Sequence, residues 1–481
     1  MQLNFIKPWA LSLGLTLAST SASYAQSAAE RLPDLGDVTA SRFSAQQEFD
    51  LGRSWLKTFR AQVKTVDDPF LQDYFESLLY KLAAESELKD RRLETVIVNN
   101  PQINAFAVPG GVIGVNSGLF LYSDNEAEFA GVLAHEIAHL SQRHFTRSLD
   151  KAKESTLPTL AGLLAGIALA ATTGSDAGIA AIAATQAAAQ QKQLRFSREH
   201  EQEADRVGME TLSKANIDPT GIPNMFENMN AQRRYAGYEP LEFLLTHPLT
   251  DSRISDSRNR ARSYPRKVYV DNLNFQLAKR RAQLLHSRNP EDLLVSWQDK
   301  TDSDVARLYG IAITQIALNK WTEAENTLAP LLKADPHRVA YVLAQAEIET
   351  GREDYPAALQ RLKNELLLSP HNHPLTMALA NTLEKAGFVG EADAVLTEHS
   401  QRHSTDPGVW YELAEIRGLA KNILGVHLAR AEYFIQVAQF KRARMQLHYA
   451  YSLSDGKTIE QARIKQRLRD IDDIENLIKN L

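Results

Sequence analysis

Four tetrapeptides in the second half of this chain are spaced as copies of one structural unit. Trp321-Thr-Glu-Ala324, Tyr355-Pro-Ala-Ala358 and Val389-Gly-Glu-Ala392 recur every 34 residues (358−324 and 392−358), and Phe440-Lys-Arg-Ala443 follows after 51, one and a half intervals. Ala312, Ala346, Ala380 and Ala431 each stand twelve before the corresponding alanine. Small residues placed twice per interval predict pairs of antiparallel helices that cross closely at those points. Such a unit cannot bury its apolar face alone, so neighbours must stack into one continuous core. That constraint predicts an all-helical array from about residue 267 to 481. Asp335-Pro336 and Pro370 close two of the units. In the third, Asp406-Pro407 arrives three residues late, and the half interval predicts an extra helix near 410–420. The pattern resembles no catalytic motif; stacked helical pairs build a concave surface suited to holding a peptide or another protein.

The first half carries the chemistry. His135-Glu136-Ile137-Ala138-His139 lies inside an apolar run that reads as a buried helix. Residues four apart share one helix face, so both imidazoles reach one metal ion with Glu136 beside it. Two imidazoles and a carboxylate that takes a proton from water are the parts of a zinc peptidase. A catalytic zinc usually has three protein ligands, and the best source of the third is Ser197-Arg-Glu-His-Glu201-Gln-Glu-Ala-Asp205. There Ser197 is placed as an N-cap, and Glu201 and Asp205 share a face. Glu201 could bind the metal, and Asp205 could orient a ligand histidine through its other ring nitrogen. The same acids would also suit a solvated helix face.

Together these two motifs resemble the zinc peptidases of the HtpX and CAAX prenyl protease family, peptidase family 48. The family pattern is H-E-x-x-H followed on a later helix by S-R-x-x-E-x-x-A-D. The resemblance implies that His135, His139 and Glu201 hold one zinc ion per chain and that Glu136 is the general base. It extends to Asn104-Ala-Phe-Ala-Val-Pro-Gly-Gly-Val-Ile-Gly-Val115, similar to the strand and turn before the active helix. Thr246-His247-Pro248-Leu-Thr-Asp-Ser-Arg253 is similar to a segment found after the catalytic helices in soluble members. His247 either fills the open zinc position at rest or hydrogen-bonds the tetrahedral intermediate. Arg253 either stabilises an oxyanion or is a salt-bridge partner. His144 lies five after His139, not at the spacing of the longer metzincin pattern, and both it and His200 read as structural. The 34-residue units resemble the tetratricopeptide repeat, with small residues at the crossings and proline at the repeat end.

The fold expected is thus an α+β zinc peptidase domain, mostly helical with a small sheet, over 26–266, followed by an all-α tetratricopeptide-repeat solenoid over 267–481. Helices are predicted at 44–66 and 69–86 and β-rich runs at 93–98 and 104–115. An edge strand of the sheet would hold a substrate backbone by main-chain hydrogen bonds and so tolerate many side chains.

The N-terminus reads as a bacterial secretory signal peptide: Lys7, an apolar stretch, then Ser23-Tyr24-Ala25 with cleavage expected after about Ala25. The absence of cysteine excludes a disulfide framework and a lipid anchor. A net charge of −5 gives no reason to expect nucleic acid. Residues 157–189 form an apolar, alanine-rich helical hairpin in pattern, with runs shorter than the roughly 20 residues that cross a bilayer. A lid over the cleft, a membrane-surface contact or a core hairpin are its possible roles. An exported peptidase joined to C-terminal repeats resembles a subgroup that acts in outer-membrane assembly. That implies a periplasmic protease with a chaperone-like role. Its partners would be unfolded or misassembled outer-membrane proteins, with the repeats docking to substrate or assembly machinery. A non-proteolytic chaperone or adaptor and a membrane-embedded processing protease are the alternative classes. The intact Glu136 argues against the first.

Overall fold

In the computed structural model, residues 44–151, 198–235, 242–265, 267–298 and 304–479 are described. The expected signal peptide at 1–25, the hairpin at 157–189 and Ser197 lie outside them. Helix α1 (Ala45–Gln62) opens on a capping box in which Ser44 and Gln47 satisfy each other's backbone N–H. It ends at Gln62, short of the expected 66, because the chain turns extended at Val63. The following residues bond instead to the first strand: Val66 N–H donates to Ile97 and Asn99 N–H to Lys64. Helix α2 (Pro69–Glu85) starts with proline at its first turn, and the Asp68 carboxylate accepts from the N–H groups of Phe70 and Leu71.

Three strands follow: β1 (Glu94–Val98), β2 (Ala105–Val108) and β3 (Val112–Asn116), in the order β1-β3-β2. β1 runs parallel to β3, and β2 is antiparallel to it, with Ala105 opposite Val115 and Val108 opposite Val112. The expected run at 104–115 is therefore a hairpin. Gly110 and Gly111 make its turn at φ +86° and +80°, and a Cβ at Gly110 would stand 2.2 Å from the Glu48 carbonyl oxygen.

A short helix α3 (Gly118–Tyr122) leads to α4 (Glu126–Ser141), which Asn125 caps through the Glu128 N–H. α4 is buried along almost its whole length, because it lies between α2, β2 and two later helices. α5 (His144–Lys151), α6 (Arg198–Lys214), α7 (Gly221–Tyr235), α8 (Glu242–Thr246) and α9 (Asp251–Ala261) complete this half. α6 and α7 are the two that pack on α4. Gly208 permits the close approach of α6, since a Cβ there would meet the His135 backbone nitrogen at 3.2 Å.

The second half is helical among its described residues. After α10 (Leu273–Leu285) and α11 (Pro290–Gln298), pairs form from α12 (Asp304–Ala317) with α13 (Trp321–Ala334), and α14 (Val339–Gly351) with α15 (Tyr355–Leu368). α16 (His373–Lys385) pairs with α17 (Val389–Arg402); then come α18 (Pro407–Leu419), α19 (Ile423–Gln436), α20 (Phe440–Leu453) and α21 (Thr458–Lys479). All eight alanines read from the repeat interval are buried: Ala312, Ala324, Ala346, Ala358, Ala380, Ala392, Ala431 and Ala443. The half interval corresponds to α18, an additional helix that packs on both α17 and α19.

The two halves share a core. Tyr74 of α2 and Phe129 of α4 pack their rings against Phe275 of α10 at 6.1 and 5.7 Å, and the same apolar cluster continues through Tyr309 and Tyr341 to Ile348. Arg281 of α10 donates to Asp68 at 2.8 Å, and Arg60 of α1 donates to the Thr405 carbonyl before α18 at 2.8 Å. α1 also packs on α19 and α21. No helix among the described residues is long and apolar enough to cross a membrane.

Candidate active site

α4 presents His135 and His139 one turn apart, and their Nε2 atoms lie 3.0 Å from each other. α6 brings Glu201 from across the helix pair. Its Oε2 is 3.5 Å from His135 Nε2 and its Oε1 3.4 Å from His139 Nε2. α8 and the turn after it add His247, whose Nδ1 is 3.1 Å from Glu201 Oε1 and 3.3 Å from His135 Nε2. All four are buried, and one donor atom of each lies within 4.8 Å of those of the others. Facing ring nitrogens at 3.0 Å repel if both carry protons or both present lone pairs, and a divalent cation between them removes that conflict. Imidazole nitrogens and a carboxylate oxygen are also the ligand set of peptidase metals. The residues fit a metal ion.

Glu136 follows His135 on α4 and does not belong to the cluster of donors. Its Oε1 has no hydrogen bond among the described residues, and His247 Nε2 is 3.5 Å away. Burial raises its carboxyl above the ordinary range, against the charges of His247 and His135. A carboxylate held in that state is suited to accept a proton from water.

Behind the donors stands a layer of charge. Asp205 Oδ1 is 2.9 Å from His135 Nδ1. Arg253, 2% exposed, grips Asp205 through Nε at 2.8 Å and Nη2 at 2.7 Å. Its Nη1 reaches Glu201 Oε2 at 2.6 Å and the Pro248 carbonyl at 3.0 Å. Its guanidinium also lies over the Phe226 ring. Every nitrogen of Arg253 is thereby committed to carboxylates or backbone, so it serves as the salt-bridge partner that holds both acids in place.

Burial works against charge at each of these groups, and at His135, Glu201 and Asp205 the partners overcome it. Asp205 and Glu201 raise the His135 imidazole to about 9. His139, equally buried, falls to about 3. The His247 and Arg253 charges and the imidazole hydrogen bonds hold Glu201 well below the carboxylate range. Arg253 and His135 hold Asp205 low in the same way. The pocket is one that attracts positive charge.

Further residues support the site, and His144 and His200 are structural as their spacing suggests. His144 Nδ1 lies 3.0 Å from His139 Nδ1, and its Nε2 meets Glu203 at 3.0 Å, where Arg147 also donates. His200 stacks on His144 at 4.4 Å, and both rings are buried. Glu242, 3% exposed, accepts from the side-chain amides of Asn100, Asn104 and Asn116. That network ties the start of α8 to the strand ends, and Phe243 on the same helix stacks on His247 at 4.6 Å. Of these network residues only Asn104 belongs to a sequence motif; the rest are joined through space across gaps without periodicity.

The edge strand β2 packs against α4, and among the described residues only β3 bonds to the backbone of Ala105–Val108.

Residues 69–261 match peptidase family M48. The chain is 33% identical over 474 residues to the β-barrel assembly-enhancing protease of Escherichia coli K12, covering 98% of this chain and 96% of that protein. The protein of the same name from Yersinia pestis is 33% identical over 92% of this chain and 91% of its own length. A mitochondrial metalloendopeptidase OMA1 from Arabidopsis thaliana is 27% identical over 195 residues, 38% of this chain and 35% of that one.

Proposed function

The chain belongs to peptidase family M48, among the β-barrel assembly-enhancing proteases, and is a metallopeptidase; we propose that its metal is zinc and that it works in the periplasm on outer-membrane β-barrel proteins during their assembly. The observation that carries this reading is the convergence of His135, His139 and Glu201 around one point, with the buried Glu136 next to His135 on the same helix and its Oε1 without a hydrogen bond among the described residues. A bound zinc supplies Lewis-acid polarisation of the peptide carbonyl and makes water more acidic. The chain's own residues do the rest. Glu136 receives the proton at Oε1 and returns it to the leaving amine. Asp205 sets the His135 ring by holding its Nδ1 proton, and Arg253 keeps Asp205 and Glu201 from drifting apart. The free edge of β2 aligns an extended substrate. Main-chain pairing of this kind accepts many sequences, which suits degradation of misfolded or stalled clients.

Catalysis is assigned to 26–266, and 267–481 supplies the surface that holds substrate or assembly machinery. His247 is assigned as a resting ligand: its Nδ1 sits among the other donors, backed by the Phe243 ring. Export would follow from cleavage after about Ala25. For residues 157–189 the roles of lid, membrane-surface contact and core hairpin stay open.

One set of measurements tests the assignment. Purified mature protein should hold one zinc at the His135–His139–Glu201 point and cleave an unfolded protein such as casein. Glu136→Gln should keep that metal and stop cleavage. A Glu136→Gln protein that loses the metal would overturn the division between ligands and general base. His247→Ala should raise basal cleavage and self-cleavage at unchanged occupancy of this point; a slower enzyme would make His247 a transition-state group instead.

A further inference from the structure

A second set of histidines lies far along the chain from the peptidase motifs, in the repeats. His373 is the first residue of α16, His399 is in the last turn of α17, and His403 caps that helix. His399 and His403 are four apart, the first in the last turn of α17 and the second at its cap. One ring nitrogen from each of His373, His399 and His403 lies within 4.8 Å of the others. His373 Nδ1 and His399 Nε2 are 2.8 Å apart. The three rings are near-parallel or tilted at 4.3–5.1 Å. His373 and His399 are 7% and 3% exposed, and His403 is half-buried. The Asp406 carboxylate, which caps α18, stands 3.7 Å from His373 Nε2.

We infer that His373, His399 and His403, with Asp406 at the margin, form a second site for a borderline divalent cation such as zinc or nickel. Imidazole is the side chain such ions favour, and three imidazoles leave the fourth position to water; Asp406 stands behind the His373 ring, at Nε2, as a charge outside the shell. Zinc–nitrogen bonds of about 2.0–2.1 Å at a tetrahedral angle put ligand nitrogens roughly 3.3 Å apart. The 2.8 Å pair therefore opens by about half an ångström as the ion replaces the proton the two rings share. Access is provided. His373, His403 and Asp406 line a cavity of about 640 Å³ whose opposite wall is the outer edge of β1 and the turn after α1. Asp406 stands at the far nitrogen of His373, away from the pair that ring makes with His399, so the ion braces and does not hydrolyse. It would tie the start of α16 to the end of α17, beside the Thr405 carbonyl that Arg60 of the peptidase half already holds.

The test is metal stoichiometry of the full mature chain. Protein stripped with a chelator is dialysed against zinc at pH 7.5, and bound metal is measured by elemental analysis. The parent should bind two ions per chain. His373→Ala/His399→Ala should bind one and keep its casein cleavage. His135→Asn/His139→Asn should also bind one, and zinc should raise its melting temperature. One ion in the parent overturns the proposal, and so does a His135→Asn/His139→Asn protein that melts cooperatively and binds none. If the repeat variant does not fold, the parent count and the peptidase-site variant still decide, because both retain the repeat histidines.

Discussion

The peptidase site and the histidine cluster of the repeats are built alike, from two imidazoles four residues apart, inside a helix in the first and at a helix end in the second, and a further ligand from a neighbouring helix. What surrounds them differs. In the peptidase site, Glu201 and Asp205 lie within hydrogen-bond or ion-pair reach of the imidazoles, and Arg253 binds both acids. His135 rises to about 9 as a result. In the repeats the one carboxylate is 3.7 Å away, and burial and neighbouring positive charge push His399 down to about 3. Histidine spacing thus makes a place for an ion, whereas the buried acids decide its charge and the chemistry beside it. Only the first cluster has a proton acceptor of its own in Glu136.

That contrast breaks in measurable ways. The largest expected effect is Glu136→Gln: cleavage should fall by at least about a hundredfold while the metal stays. Residual activity near that of the parent would mean that Glu136 is not what separates the two clusters. Next is Arg253→Met, which leaves Asp205 and Glu201 buried without their cation. It should cost about 3–5 kcal/mol of stability in a urea titration. A loss under about 1 kcal/mol would show that the ion pair is dispensable. Asp205→Asn removes the acid behind His135 and should weaken metal binding at that site about 10–100-fold, measured by chelator competition. Unchanged affinity would show that the acid layer is not what distinguishes this site from the repeats.

The smallest effect lies where the two halves meet. Lys57 on α1 is pushed down to about 8, first by burial and then by Arg60, with Arg467 of α21 and Arg53 adding to it and Glu94 opposing. Its ordinary value is 10.5, so the folded protein disfavours its proton. The cost is fully present below pH 8 and is relieved as pH rises from 8 to 10.5. Part of the side chain remains in solvent, so a gain of about 1–2 kcal/mol is expected for Lys57→Met at pH 7. The gain should shrink at pH 9.5. A gain of equal size at both values would assign it to packing.

The peptidase helix is legible in the sequence because i and i+4 positions share a face whatever the surroundings. The repeat crossings are legible because an interval of 34 recurs, and every alanine so identified is buried. Glu201 is distinguishable from Glu199 and Glu203 only through family resemblance, since all three are acids on one helix. The Glu242–asparagine network is beyond reach. Glu242 lies 126–142 residues from the three asparagines it binds, with no periodicity to link them. The same holds for the repeat histidines, where His373 comes from a different helix than His399 and His403. Helix α1 ends earlier than its pattern suggests, although residues 63–66 are compatible with a helix. Their backbone is claimed by β1, a partner that local sequence does not announce.

The core that passes without a break from Phe129 through Phe275 to Tyr341 couples the halves thermodynamically. Heat should melt peptidase and first repeats in one calorimetric transition, not two. Cutting the chain near residue 267 would strip Phe275 from the Tyr74 and Phe129 rings and leave apolar surface in water. A client or partner gripping the repeats adds its binding free energy to the folded form of the whole unit, including the helices that hold His135, Glu136 and Glu201. Occupied repeats therefore make a more heat-resistant protease, and the complex should outlast the free enzyme at temperatures where the free enzyme is already losing its active site.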